Sequence, residues 1–257
     1  MSSAICLRDV SVNFGGIQAL QSLSCEIPEG QLHGVIGPNG SGKTTFLNVI
    51  ARFQDISGGT IELFGKDITR APSHRVSAHG VVRTFQQSSL INDLTVLENV
   101  MLGSSVQRPE SLMDIALRTP RYRTQERKIK EKALEMIHFV GIEFLADRKG
   151  DQLSGGQMRL VEIARALASD PKLLLLDEPA AGLSLVRIDE VKELISRINR
   201  EMNVTIILVE HVLSLISALC EEVSVLVSGE FIVSGTPQTI QKDPKVREAY
   251  LGGSVIQ

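Results

Sequence analysis

The chain of 257 residues contains three cysteines, Cys6, Cys25 and Cys220. Their odd number and wide spacing exclude a disulfide framework and a cysteine metal cage, and a reducing cytosol is the expected setting. Long apolar runs are also missing. The longest, such as Leu173 to Leu176 and Ile206 to Val209, fall well short of the ~20 residues that a bilayer-spanning helix needs. The opening Met-Ser-Ser-Ala-Ile-Cys has no basic region followed by an apolar stretch, so no secretory leader is expected. If the protein serves a membrane, it does so from the cytosolic side through a partner. There is no basic excess, with 27 Lys and Arg against 30 Asp and Glu and a formal charge of −3, so nucleic acid is not expected as a partner. No internal repeat or low-complexity linker interrupts the chain.

Apolar residues make up 43% of the chain, which suits a globular protein with one sizeable core and room for a smaller lobe. Ile5, Leu7, Val10 and Val12 alternate as in a strand, with a break in period at Arg8-Asp9. A second strand is predicted over Leu20 to Ile27, a buried one over Leu32 to Ile36, and another over Thr60 to Phe64. From about 95 to 168 the pattern becomes helical. Thr95 and Glu98 form a capping box that starts a helix near Val96, and Ile129, Ala133, Met136, Ile137 and Val140 recur at helical spacing. Strand and helix alternate again from Lys172. Strands are predicted at Leu173 to Leu176, Val204 to Val209 and Val223 to Val227, and a helix over Val186 to Arg200. Ser228-Gly229-Glu230 turns a hairpin into Phe231 to Ser234, and Thr236-Pro237 and Asp243-Pro244 open two short helices. The expected fold is α/β. It has a mostly parallel core, an N-terminal antiparallel β element and an inserted α-helical lobe at about 95–168.

Gly37-Pro38-Asn39-Gly40-Ser41-Gly42-Lys43-Thr44 matches the P-loop pattern in full and lies between a predicted strand and a helix. Its glycines let successive N–H groups curl around phosphate oxygens, and the helix that follows, through Thr45, points its positive end at them. Lys43 would reach the β- and γ-phosphates, and the Thr44 hydroxyl would ligate Mg²⁺. Leu173 to Leu176 runs into Asp177 and Glu178, at the strand end where parallel sheets bind ligands. Asp177 is placed to hold Mg²⁺ directly or through water, and Glu178 to accept a proton from an attacking water. In Leu153-Ser154-Gly155-Gly156-Gln157, Ser154 and Gln157 fit a capping box. Two glycines in a first helical turn cost about 1 kcal/mol each against alanine. They make sense where a phosphate or another backbone must approach closely.

Leu153 to Gln157 resembles the signature sequence of the ATP-binding-cassette (ABC) transporter ATPases, and the other elements of that family follow in order over about residues 4 to 252. The resemblance implies that Phe14 stacks on adenine, where many members carry tyrosine. It also implies that Gln86 in Thr84-Phe85-Gln86 touches Mg²⁺ and the attacking water, and that His211 contacts the γ-phosphate. Residues 1–257 then form one cassette that hydrolyses ATP with Mg²⁺ on the cytoplasmic face of a cell membrane. Its expected partners are integral membrane permease subunits, a second cassette meeting it head to tail across ATP, and a periplasmic or extracellular solute-binding protein. Val161 to Leu167, Asp177 to Leu183 and the ending Ala249-Tyr250-Leu251-Gly252 resemble the ATPases of branched-chain amino-acid importers, and relatives with similar endings serve urea, short amides and lipopolysaccharide export. Two departures stand out. Ser184 replaces the aspartate or asparagine usual after Ala180-Ala181-Gly182-Leu183, and Val212 replaces the acid usual after His211. A soluble cassette ATPase of DNA repair or translation would carry a long coiled coil, zinc-binding cysteines or a second cassette, and a GTPase an Asn-Lys-x-Asp segment. This chain has none of them.

Overall fold

The alternation that begins at Ile5 becomes β1 (Ser3–Phe14), and the break at Arg8-Asp9 is a bulge. Asp9 adopts φ 51, and the register to β2 (Ile17–Pro28) shifts between Leu7 and Val10, which keeps both apolar stretches on the inner face. The computed structural model describes residues 2–84, 90–105 and 119–251. Two compact units divide the chain. The first takes the chain up to Arg83, then Lys172–Ala181, and again from Ile188; the second takes Thr84–Pro171 and Gly182–Arg187.

The first unit holds both sheets. An antiparallel sheet runs in the order β2-β1-β4-β5, with β4 at Gly58–Leu63 and β5 at Lys66–Asp67. The second sheet is built around β3 (Leu32–Ile36), flanked in parallel by β8 (Thr205–Val209) and β9 (Glu222–Val227). Beyond β8 come β7 (Leu173–Asp177) and the short β6 (Val81–Arg83), also parallel; β10 (Glu230–Gly235) closes the other edge antiparallel to β9. All five residues of β3, of β7 and of β8 are buried, the polar His33, Asp177 and Thr205 included, as the mostly apolar strands of a parallel sheet should be. The helix α1 (Lys43–Ile50) adds Phe46, Leu47, Val49 and Ile50 to a core shared by both sheets, and Phe46 meets Phe231 edge-on at 5.4 Å. Each such side chain stabilises the fold by about 2 kcal/mol through burial. Helix α2 (Ser73–Ala78) precedes β6.

The second unit is helical: α3 (Val96–Ser105), α4 (Pro120–Val140) and α5 (Gly155–Leu167) pack on one another. Thr95 and Glu98 make the predicted capping box at the start of α3. The fully buried Asn99 donates to the carbonyls of Ile91, Leu94 and Thr95 and accepts from the Ile91 amide, fixing the chain that leads into that helix. Thr119 caps α4, Pro120 occupies its first turn, and Gly141 at φ 79 ends it, with Ile129, Ala133, Met136 and Ile137 buried. Helix α6 (Leu185–Met202) runs from the second unit into the first, which then holds α7 (Leu213–Leu219), α8 (Pro237–Lys242) and α9 (Pro244–Leu251). Among the described residues, no helix is long and apolar enough to cross a membrane.

Candidate functional site

β3 delivers the chain into Gly37 so tightly that a Cβ there would stand 2.1 Å from the Leu226 carbonyl oxygen of β9. Only glycine fits. Gly42 has φ 107, and a Cβ on it would lie 2.7 Å from the Ala19 carbonyl. The loop between them is stitched by the Ser41 amide donating to the Pro38 carbonyl at 3.2 Å. Helix α1 then begins from Gly42 with no side-chain cap. The amides of Lys43, Thr44 and Thr45 therefore lack acceptors inside the helix, and its dipole leaves positive potential at that end. Lys43 folds over the loop and donates from Nζ to the carbonyls of Gly37 and Pro38 at 2.8 and 2.9 Å. Burial lowers the Lys43 pKa, and Glu178 and Asp177 pull it the other way. The Ser41 hydroxyl is buried with no partner among the described residues, which normally costs about 1–3 kcal/mol. Gly-rich turn, uncapped helix start and orphaned hydroxyl together form a cradle for an anion rich in acceptor oxygens.

At the carboxyl end of β7, Asp177 pairs with Val209 of β8 across the sheet. Its Oδ2 accepts from Arg83 at 2.9 Å, both side chains being buried, and Arg83 also donates to Asn48 Oδ1 of α1. Glu178 follows in the left-handed region at φ 50, unusual for a residue other than glycine, with its amide donating to the Val209 carbonyl at 2.9 Å. Its Oε1 lies 2.6 Å from His211 Nε2. The loop that carries His211 is held by Glu210, only 1% exposed, which accepts from the Ala180 amide at 2.7 Å and the His211 amide at 3.0 Å. Burial raises the Glu210 pKa against those amides. Arg83 and Glu210 were not singled out in the sequence. Arg83 ends a strand too short to show periodicity. The signal for Glu210 was a charge directly after a fully buried strand.

Phe14 ends β1 opposite Ile17, across the turn Gly15-Gly16, and the two are 48% and 72% exposed. They offer an apolar surface to solvent. Ser154 and Gln157 belong to the second unit, where Ser154 caps α5: Gln157 Oε1 accepts from the Ser154 amide at 2.9 Å and Ser154 Oγ from the Gln157 amide at 3.4 Å. Among the described residues, a Cβ on Gly155 would meet nothing within 4 Å, and one on Gly156 only Leu183 at 3.4 Å. The helix begins directly after its Ser154 cap, with Gly155 and Gly156 in its first turn. Gln86 lies outside the described residues, as does Gly252 at the chain's end; Thr84 is buried.

The fold and this loop define a P-loop nucleotide-binding protein. Residues 20–181 match the ABC transporter family, and residues 232–256 match the family described as branched-chain amino acid ATP-binding cassette transporter. The chain belongs to the ABC transporter family. It is 36% identical over 243 residues to the high-affinity branched-chain amino acid transport ATP-binding protein BraF of Pseudomonas aeruginosa, with 95% of each chain covered. It is 34% identical to the corresponding protein LivG of Escherichia coli, covering 96% of this chain and 97% of that one. Among solved structures, a nucleotide-free ATP-binding cassette from an ABC transporter superposes with a TM-score of 0.85 at 32% identity, covering 97% of this chain and 99% of that chain. A dimeric ATP-binding cassette in a post-hydrolysis state bound to ADP and Pi superposes with a TM-score of 0.77 at 27% identity, over 91% of this chain and 98% of that one.

Proposed function

We propose that this chain is the ATP-binding and ATP-hydrolysing subunit of an ABC transporter that powers uptake of branched-chain amino acids or related amide-type solutes. The substrate class is supported by the names of its relatives and by the match of residues 232–256. The observation that carries the chemistry is the Glu178–His211 pair, 2.6 Å apart at the carboxyl end of the parallel strands, in the same unit as the uncapped start of α1.

Residues Gly37 to Thr45 wrap the phosphates. Lys43 leaves the carbonyls of Gly37 and Pro38 and turns its ammonium to the β- and γ-oxygens, which replace those acceptors with charged ones. Phe14 supplies the face on which adenine stacks. The Thr44 hydroxyl and Asp177 carboxylate are hard oxygen donors that fit Mg²⁺, which prefers one or two such ligands beside phosphate oxygens, and Gln86 is assigned to the same ion. When bound, Mg²⁺ neutralises charge developing on the phosphates. Glu178 orients a water and accepts its proton. With the carboxylate ionised, His211 donates from Nε2 to Glu178, and when nucleotide is bound the same N–H turns to the γ-phosphate. The left-handed backbone at Glu178 costs about 1 kcal/mol and aims the carboxylate.

Ser154, Gly155, Gly156 and Gln157 offer a second helix start to the ATP held by a partner cassette, so nucleotide joins two copies head to tail. Permease subunits and a solute-binding protein complete the transporter, and the chain works at the cytoplasmic face of the membrane. Glu178→Gln tests this reading because it keeps size and hydrogen bonding but removes basicity. Turnover should fall by about 10²–10⁴-fold with ATP affinity retained, and light scattering should find a dimer that persists with ATP and dissociates with ADP. Near-normal hydrolysis would remove the base assignment.

A further inference from the structure

Arg83 joins three elements within the first unit. It sits on the last residue of β6, forms a buried ion pair with Asp177 at the end of β7, and donates to Asn48 on α1, the helix that starts at the P-loop. The pair is 2.9 Å long, and the two side chains are 5% and 2% exposed. A buried pair of this kind contributes little net stability over an apolar replacement, but removing one partner strands the other charge. Its value therefore lies in what it does to Asp177. Arg83 engages Oδ2 and holds that oxygen in place, while Oδ1 accepts no hydrogen bond from the described residues. It also places a permanent positive charge beside the oxygen pair that would face a dication.

We propose that Arg83 is a positioning residue for Asp177: it presents one carboxylate oxygen to Mg²⁺ in a fixed direction and weakens the hold of Asp177 on the ion. This rests on the assignment of Asp177 to Mg²⁺. Two like-charged cations compete for one carboxylate, so the metal is kept exchangeable and its geometry is set by the protein. Removing the guanidinium must then move two quantities in opposite directions. The metal binds more tightly, because its competitor is gone, and turnover drops, because the carboxylate can rotate. A residue that only supported the fold would, when lost, weaken both.

The test uses the full chain with nucleotide, comparing wild type, Arg83→Met, Arg83→Lys and Asp177→Asn. Mn²⁺ serves as a paramagnetic probe of metal affinity in the ADP-bound protein, read from the free-ion signal, and ATP turnover is measured over a Mg²⁺ titration. For Arg83→Met the half-saturating metal concentration should fall about threefold to tenfold and turnover at saturating metal about tenfold. Arg83→Lys keeps the charge but loses the two-armed reach to Asp177 and Asn48. Its metal midpoint should stay within about twofold of wild type while turnover still falls. Weaker metal binding in Arg83→Met, or an unchanged midpoint, overturns the proposal. If Arg83→Met does not fold, Arg83→Lys decides, and a lysine variant with full turnover overturns it. Asp177→Asn separates the two levels. If that change leaves the metal midpoint where it was, Asp177 is not a metal ligand. If Asp177→Asn shifts the midpoint and Arg83→Met does not, the fault lies with Arg83 alone.

Discussion

Helices α1 and α5 both open on glycine-rich sequences, yet α1 starts from Gly42 at φ 107 with no side-chain cap, while α5 starts from Ser154 with Gln157 returning the bond. The glycines differ in the same way. Gly37 and Gly42 are dictated by the chain's own backbone, which leaves no room for a Cβ. A Cβ on Gly155 would meet nothing within 4 Å among the described residues. One helix start is a cradle built by its surroundings and left open. The other is closed by its own side chains, and none of the described residues makes a demand for its glycine. A glycine without an internal reason, which costs about 1 kcal/mol in a helix, points to a surface brought from outside.

The largest effect should come from violating the first helix start. Gly37→Ala sets a Cβ 2.1 Å from the Leu226 carbonyl, and neither backbone can yield without pulling β3 from β9. Denaturant unfolding should report a loss of about 3 kcal/mol or more, together with lost nucleotide binding. A stable, binding-competent alanine variant would show that the cradle is soft, and the contrast with α5 would lapse.

A smaller effect should appear one strand below the loop. His33, on β3, is 3% exposed, its Nε2 lies 3.0 Å from the Ser224 hydroxyl, and burial pushes its pKa down to about 4. The charged form is thus favoured in the unfolded chain, where histidine titrates near 6.5. The stabilising contribution of neutral His33 is fully present above pH 6.5 and is lost as pH falls toward 4. Between pH 7 and pH 5 this amounts to about 2 kcal/mol. Melting curves of wild type should shift downward over that interval more than those of His33→Gln. Equal shifts would show that other groups set the acid response of the strand beneath the P-loop.

How much of this was readable without coordinates varies with length and burial. β7 announces itself as an unbroken apolar run ending in an acid pair, β3 as a mostly apolar stretch, interrupted by His33, that runs into a glycine turn, and α4 shows its buried face at Ile129, Ala133, Met136 and Ile137. The broken alternation at Arg8-Asp9 was visible, but only the structure shows it to be a bulge. β6, with three residues, and α7, with seven, are too short for periodicity to speak, and both are made by neighbours: β6 by its ladder to β7, α7 by burial of Leu215 and Ile216. The P-loop is legible because phosphate binding is encoded in contiguous residues. The Arg83–Asp177 and Glu178–His211 pairs join positions 94 and 33 residues apart, and a single sequence carries no signal for which distant charges meet. The His211 expectation illustrates this. The γ-phosphate role came from resemblance, and the ring's contact with Glu178 came from geometry.

The smallest expected change in stability tests the second helix start most sharply. Gly155 is helical, lies outside the left-handed region, and has open space where a Cβ would go. In the isolated chain, Gly155→Ala should therefore leave unfolding free energy unchanged or raise it by up to about 1 kcal/mol, since alanine loses less backbone entropy on folding. The Ser154–Gln157 capping box survives the change, because both its bonds run between residues other than 155. If a partner cassette's phosphate or backbone must close on this turn, the added methyl occupies the approach, and light scattering on Glu178→Gln should lose its ATP-dependent dimer when Gly155→Ala is added. Nucleotide affinity of the monomer should stay put, because Gly37 to Thr45 are untouched. A more stable chain that no longer dimerises would place the requirement for glycine in the partner. A chain that is destabilised would place it within this chain, and one that dimerises as before would leave Gly155 without a contact role.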